Sequence, residues 1–412
     1  MIFDSESVFE ENVITVLKQH GWKDGVLRYP TERDLLDNWK GILYRNNNDI
    51  DRLGKYPLTD GEMAQIIEQI ETLRTPLALN SFVNGRTVSI TRDNKEDVAH
   101  FGKEVSLYIY DRKEIAGGKS TYQIAQQPVY PAKNKMLNSR RGDLVLLING
   151  MPLIHIELKK SGIPVSQATN QIEKYAHEGV FTGLFRLVQI FVAMTPDDAV
   201  YFANPGVDKF NPSYYFHWAD YNNEPICGGQ NPGKDEWKLF IGGTSGTAGL
   251  LSIPMAHQLI GFYTIADSAD GCLKVLRSYQ YIAANAISDV VRKCDWEQRP
   301  ATPGRPGGYV WHTTGSGKTM TSFKSAQLIA DSHDADKVVF LMDRIELGTQ
   351  SLKEYRSFAD SETEVQGTEN TGVLRDKLNS TNVNDTLIVT SIQKMSNVKA
   401  GERASPRHGW IS

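Results

Sequence analysis

Cysteine is scarce: Cys227, Cys272 and Cys294 stand far apart in 412 residues, so neither a disulfide framework nor a zinc knuckle is available. No apolar run approaches the roughly 20 residues that a membrane span needs. The acidic opening MIFDSESVFEENV lacks the basic-then-apolar layout of a secretory signal. A soluble, cytoplasmic, reduced protein with no membrane partner is expected. There is no surplus of positive charge either. A net charge of −4 argues against nucleic-acid binding driven by bulk charge and leaves any such contact to local patches, namely Lys133, Lys135, Arg140, Arg141, Lys159 and Lys160. Internal repeats and low-complexity segments are absent too. What remains is an ordinary globular composition, 40% hydrophobic and 23% charged, in a chain longer than one hydrophobic core usually supports. Two or more domains are expected.

Val8, Phe9, Val13, Ile14, Val16 and Leu17 recur at helical spacing and the pattern stops at Gly21, which predicts a first helix. A second is predicted at about 60 to 74, where Met63, Ile66, Ile67, Ile70 and Leu73 line one face. Thr59 and Glu62 have capping-box spacing before it, and Pro76 follows shortly after. The apolar runs Leu144 to Ile148 and Leu153 to Leu158 bracket Asn149-Gly150, the signature of a tight β-hairpin. A helix over roughly 167 to 178 and a buried strand around Leu187 to Met194 complete an α/β unit. The glycine-rich stretch from Cys227 to Gly249 reads as loops near a domain boundary. Beyond it the expected order is a helix after Arg277, a strand at Gly308 to Trp311, and a helix to about Ile329. Strands at Lys337 to Met342 and Thr386 to Thr390 follow. Helix and strand alternate, as in a parallel sheet. The domains are expected to divide as 1–255 and 256–412.

Three charged residues interrupt the apolar hairpin. Asp143, Glu157 and Lys159 have the spacing D-(x13)-E-x-K. Glu157 and Lys159 point to one side of a strand, and Asp143 begins the neighbouring strand, so the three groups converge. Two carboxylates with a backbone carbonyl and waters suit Mg²⁺, which polarises a phosphate and activates a water, while Lys159 steadies the developing charge. The bland reading is an exposed salt bridge on a hairpin; the apolar strands around these charges weigh against it. Gln171 and Tyr175, four apart on the next helix, share a face. They reach a DNA backbone near the site, or Tyr175 is a core aromatic beside Ala168 and Ile172. Glu10 or Glu11 is a candidate further acid. His155 shares the face of Glu157, and a packed or exposed strand histidine is the expectation for it.

The run WHTTGSGKT supplies a second chemistry. In Gly315-Ser316-Gly317-Lys318-Thr319 the glycines let backbone amides approach phosphate oxygens, Lys318 reaches the β and γ phosphates of ATP, and the Thr319 hydroxyl binds Mg²⁺. A strict pattern would place glycine at 312, where His312 stands. Upstream, Arg277-Ser278-Tyr279-Gln280 sits where an adenine-reading segment belongs, its glutamine able to pair both donor and acceptor edges of the base. Downstream, Arg344 and Gln350 in FLMDRIELGTQ, and Thr390 to Lys394, end predicted strands as candidate nucleic-acid contacts.

Taken in order, R-G-D, E-L-K, Q-x3-Y, R-S-Y-Q, H-T-T-G-S-G-K-T, D-R-x-E-L-x-x-Q and T-S-I-Q-K resemble the restriction (motor) subunit of type I restriction-modification enzymes over nearly the whole chain. The resemblance implies an α/β architecture: a PD-(D/E)xK nuclease-like mixed sheet with flanking helices, then a RecA-like parallel-sheet P-loop lobe of superfamily 2. It implies Mg²⁺ and ATP as cofactors, and double-stranded DNA, a methylase subunit and a specificity subunit as partners. By motif position, Asp143, Glu157 and Lys159 are the nuclease triad, Gln171 and Tyr175 the accessory pair, and Lys318 and Thr319 the ATP site. The Asp-Glu strand and second lobe that such a motor needs do not appear before Ser412, so a truncated motor that binds ATP weakly without useful turnover is expected. The alternatives are a stand-alone or type III-like helicase-nuclease, and a non-catalytic DNA-binding assembly fragment.

Overall fold

The computed structural model describes residues 2–115, 117–131, 140–207, 209–229, 235–293, 307–343, 345–359, 365–398 and 408–411. The chain divides into two compact units, residues 1–265 with 271–277, and residues 266–270 with 278–412. Among the described residues no helix is long and apolar enough to cross a membrane.

The first unit opens with helix α1 (Glu6–Gln19), which starts where the Ser5 hydroxyl accepts the Val8 amide. The helix buries Phe9, Val13 and Leu17. Strand β1 (Val26–Arg28) and helices α2 (Glu32–Asn46), α3 (Asp60–Thr72) and α4 (Pro76–Asn84) follow. Strands β2 (Thr87–Thr91) and β3 (Glu104–Tyr108) form a separate antiparallel pair. Next come β4 (Tyr122–Gln126), β5 (Leu144–Ile148), β6 (Met151–Leu158), α5 (Val165–Glu178), β7 (Ile190–Met194) and β8 (Ala199–Ala203). Helices α6 (Glu236–Gly242) and α7 (Met255–Gly261) precede β9 (Thr264–Asp267) and β10 (Cys272–Val275).

Six strands make one sheet in the order β1-β4-β5-β6-β7-β8. It is mixed: β1 with β4 and β6 with β7 run parallel, the other neighbours antiparallel. Every residue of β5 and β6 is buried, as expected of strands covered on both faces. Each fully buried Leu, Val or Ile stabilises by roughly 1.5–3 kcal/mol, so five in succession hold β5 at the centre of the sheet. Asn149 (φ 52°) and Gly150 (φ 84°) make the expected tight turn between them. From α5, Ala168 and Ile172 pack on Phe191, Ala193, Val200 and Phe202 of the adjacent strands.

The capping box at Thr59 and Glu62 forms as its spacing predicts, and Glu62 has a second task. Its carboxylate also accepts from Arg92 Nη1 at 2.7 Å, while Arg92 Nε donates to Asp97 at 3.0 Å, all three side chains being buried. Removing one partner of a buried ion pair strands the other, so Glu62→Ala is expected to cost about 3 kcal/mol. A urea titration showing less than about 1 kcal/mol would mean that the cluster adds no more than a surface pair.

The second unit holds α8 (Ser278–Lys293), α9 (Lys318–Ser332), β11 (Lys337–Met342), α10 (Ile345–Phe358), β12 (Val365–Gly367), α11 (Thr371–Asn379), β13 (Leu387–Ser391), α12 (Ile392–Ser396) and β14 (His408–Ile411). Its four strands lie in the order β12-β13-β11-β14, all parallel. Val339 and Ile388 of the sheet pack against Leu374 and Leu378 of α11.

Three sequence expectations are corrected. Leu187 ends a 3₁₀ helix, Gly183–Leu187, and the strand begins only at Ile190; a buried apolar run reads alike for either. The glycine-rich stretch holds α6, whose Trp237, Phe240 and Ile241 are buried at helical spacing. Gly308 to Trp311 belongs to no strand among the described residues, and Tyr309 is 90% and Trp311 86% exposed.

Candidate active site and phosphate loop

In the antiparallel hairpin Leu144 pairs with Ile156, and one step further this register sets Asp143 beside Glu157. The Asp143 carboxylate accepts the Leu158 amide at 2.7 Å, fixing it to the strand that carries the other two residues. Lys159 Nζ lies 3.1 Å from Glu157 Oε1, donates to the Leu158 carbonyl at 2.8 Å, and has Glu6 of α1 at 3.7 Å. The sequence triad is thus one cluster at the open end of the hairpin. Asp143 is half-buried, Glu157 and Lys159 buried.

Burial, and then the neighbouring Glu157, push the Asp143 carboxyl up to about 8. Burial likewise pushes Glu157 up to about 7, against the pull of Lys159. Burial depresses the Lys159 ammonium, but Glu157 and Asp143 outweigh it and its pKa is raised. Both carboxyls therefore bind protons more tightly in the fold than in the unfolded chain. They stabilise the metal-free fold fully at pH values below the ordinary carboxylate range, and that contribution is lost as the pH rises toward 8. Thermal scans of metal-free protein from pH 5 to 8 should show a falling melting temperature, a slope reduced in Asp143→Asn and opposed by added Mg²⁺. A slope unchanged by Asp143→Asn would remove Asp143 from the cause.

Among the described residues no group of three or more His, Cys, Asp and Glu side chains is poised to hold a metal. Mg²⁺ does not need one, since it keeps several waters and binds through one or two carboxylates. Glu157 Oε2 is buried with no hydrogen-bond partner, a state that a cation relieves. Asp143 and Glu157 fit Mg²⁺ on that ground.

The accessory residues surround this cluster. Gln171 Nε2 donates to the Tyr175 hydroxyl at 2.7 Å, and that hydroxyl donates to the Arg141 carbonyl at 3.0 Å, tying α5 to the chain two residues before Asp143. Tyr175 is 6% exposed, so the core aromatic of the sequence reading and the neighbour of the triad are the same residue. Glu10 is buried and accepts from Gln126 and Gln127, with the charge of Asp143 acting on it; Glu11 is exposed and pairs with Arg28 at 2.7 Å. Of the basic patch, Arg140 forms a two-pronged pair with Glu178 and Lys160 Nζ donates to the Asp4 carbonyl at 3.3 Å. Lys133, Lys135, Cys294 and Arg344 lie outside the described residues. Sequence reasoning passed over Tyr130, whose hydroxyl is 2.9 Å from His155 Nδ1, and over Glu6. Neither carries a local signal, because each meets the hairpin from a distant part of the chain. Gly142 is required by close approach: a Cβ there would lie 2.4 Å from the Tyr130 hydroxyl oxygen and 3.0 Å from the His155 ring.

The second unit builds the glycine turn expected to bind phosphate at the start of α9. Gly315 and Gly317 have φ of 78° and 79°, a backbone that L side chains rarely adopt. Gly317 caps the helix, and Lys318 and Thr319 are its first residues. Lys318 Nζ donates to the Thr313 carbonyl at 3.1 Å, and the Ser316 hydroxyl donates to the same carbonyl at 2.7 Å. Gln280 Nε2 reaches the carbonyls of Ser316 and Gly317 at 3.4 and 3.3 Å. Tyr279, named from sequence only as part of the adenine-reading segment, donates to the Ser316 carbonyl at 2.8 Å and meets His312 edge-on. Arg277 closes the first unit, its guanidinium 4.3 Å over the Phe216 ring. Gln393 Nε2 donates to the Asp343 carbonyl at 2.8 Å, joining the ends of β13 and β11, and Gln350 donates to Glu354.

A mixed sheet with a paired-carboxylate and lysine cluster, followed by a parallel sheet with a phosphate loop, is the setting in which the comparisons fall. The family described as type I restriction enzyme R protein N terminus matches residues 4–210, half of the chain, and the chain belongs to that family. The family described as SWI2/SNF2 ATPase matches residues 279–409. The endonuclease subunit of the type I restriction enzyme SsaAORF53P of Staphylococcus saprophyticus is 32% identical over 404 residues, covering 96% of this chain and 37% of the relative. That of SauMSSORF170P of Staphylococcus aureus is 32% identical over 403 residues, covering 97% and 38%. The endonuclease subunit of EcoprrI of Escherichia coli is 26% identical over 321 residues, covering 75% and 90%. The chain thus spans less than two-fifths of the length of the two staphylococcal relatives.

Proposed function

We propose that the first unit is a PD-(D/E)xK endonuclease domain cutting double-stranded DNA, and that the second is a RecA-like superfamily 2 lobe binding ATP for DNA translocation. The convergence of Asp143, Glu157 and Lys159 on one hairpin, in a chain of this family, carries the reading. Asp143 and Glu157 would hold Mg²⁺ through oxygen. Bound there, Mg²⁺ supplies polarisation of the scissile phosphate and a water of lowered pKa. Lys159 donates a hydrogen bond to that water or to the phosphate oxygen on which charge develops. Tyr175 and Gln171 buttress the Asp143 approach and present a polar edge to the DNA backbone.

In the second unit the amides of Gly315, Ser316 and Gly317 approach the phosphates of ATP, Lys318 neutralises them, and the Thr319 hydroxyl helps to hold the nucleotide's Mg²⁺. Tyr279 and Gln280 donate to carbonyls of the loop, and Arg277 and Gln280 are the proposed adenine-reading residues by their place in the sequence. The curated relatives are endonuclease subunits, and a methylase subunit and a specificity subunit are the proposed partners. Two assays test this. Mg²⁺-dependent nicking of supercoiled plasmid is expected; its absence both alone and with partners added would favour a non-catalytic DNA-binding piece. Capture of methylase and specificity subunits is expected too, and nicking without capture would favour a stand-alone helicase-nuclease.

A further inference from the structure

His155 is fully buried on β6, two residues before Glu157 and therefore on the same face of the strand. Its two nitrogens have different neighbours. Nδ1 is 2.9 Å from the Tyr130 hydroxyl, while Nε2 is 3.5 Å from Glu157 Oε2. Both Nε2 and Oε2 are buried and have no hydrogen-bond partner among the described residues. Two unsatisfied polar atoms buried 3.5 Å apart are costly unless a small adjustment or a bound ion engages them.

We propose, resting on the nuclease reading of this site, that Tyr130 and His155 are positioning residues: the Tyr130 hydroxyl donates to Nδ1, fixes the Nε2–H tautomer, and so aims a donor at Glu157 Oε2. Lys159 holds Oε1 of the same carboxylate, so the two donors together set its plane. The arrangement is built in. Phe181 and Phe191 meet the imidazole edge-on, with centroids at 5.4 and 6.0 Å, and oppose rotation of the ring. Gly142, next to Asp143, leaves the space that the Tyr130 hydroxyl and the His155 ring occupy. One compact group of side chains therefore supports both carboxylates of the site. Hydrogen bonds to a metal-ligating carboxylate orient it and tune its hold on the ion.

The test uses the 412-residue chain. In ¹⁵N-histidine spectra of metal-free protein, with His155 assigned by its loss in His155→Gln, the wild type is expected to show the Nε2–H tautomer and Tyr130→Phe a mixture. In Mn²⁺ calorimetry, His155→Phe, which keeps the ring volume and deletes both nitrogens, is expected to bind about ten- to a hundredfold more weakly. His155→Gln should recover part of the loss through its amide N–H. Adding Tyr130→Phe to His155→Phe should weaken binding no further. Unchanged Mn²⁺ affinity in His155→Phe, or an Nδ1–H tautomer in the wild type, overturns the proposal. Should His155→Phe fail to fold, Tyr130→Phe and the tautomer spectra decide. Asp143→Asn separates the two levels. If it abolishes Mn²⁺ binding while His155→Phe does not weaken it, only the positioning role falls; if it binds Mn²⁺ like the wild type, the metal-site reading falls and the positioning role with it.

Discussion

Lys159→Ala is expected to keep metal binding and to slow plasmid cleavage by roughly 10²–10³-fold, the usual cost of losing one donor aimed at developing charge. The expectation follows from where the ammonium sits. Its nitrogen touches Glu157 Oε1 and the Leu158 carbonyl, while Asp143 is held separately by the Leu158 amide, so its removal should leave both carboxylates in place. It also leaves Glu157 without its main attractive charge, and the pKa of that carboxyl should rise further. Metal affinity measured at pH 7 should then fall modestly and recover at pH 8, whereas cleavage should not recover. Cleavage by Lys159→Ala at the wild-type rate would mean that Lys159 only neutralises the pair.

The second large effect concerns the phosphate loop. Lys318→Ala should weaken ATP binding by about 1.5–3 kcal/mol, the range for a hydrogen bond to a charged group, which is roughly ten- to a hundredfold in Kd. Gly317→Ala should be at least as damaging for a different reason. At a φ of 79° a Cβ is strained, and it would come within 2.5 Å of Gln280 Nε2, displacing the side chain that reaches the loop's carbonyls. Fluorescent nucleotide titration reads the affinity of each variant, and thermal melting separates them: Lys318→Ala should retain the wild-type melting temperature, while Gly317→Ala should lower it. Undiminished nucleotide affinity in Lys318→Ala would take the ATP role away from this loop.

The parts of the fold that were legible in the sequence are those governed by neighbours in the chain. Asn149-Gly150 between two apolar runs dictates the hairpin, Thr59 and Glu62 dictate a helix start, and charges set into apolar strands mark Asp143, Glu157 and Lys159 as a cluster. What escaped depends on contacts distant in sequence. Tyr130 lies in the stretch QPVYP, outside the named strands, and nothing local says that its hydroxyl will meet His155, 25 residues on. The Glu62–Arg92–Asp97 cluster joins a helix to the loop after β2, so only half of the role of Glu62 could be read from its capping spacing. In α6 the helical spacing of Trp237, Phe240 and Ile241 was masked by the glycines around it. At Gly308 to Trp311, apolar character suggested a strand, and among the described residues no neighbour pairs with it.

Asp143 and Glu157 are proposed to form one metal site on the β5–β6 hairpin. Calorimetric titration of Mn²⁺ into the 412-residue chain, Asp143→Asn and Glu157→Gln at pH 8 tests it most directly, because binding is read without requiring turnover. The wild type should bind Mn²⁺ and both single variants should lose it, with each variant still folded by circular dichroism. Equal Mn²⁺ binding by all three proteins would contradict it.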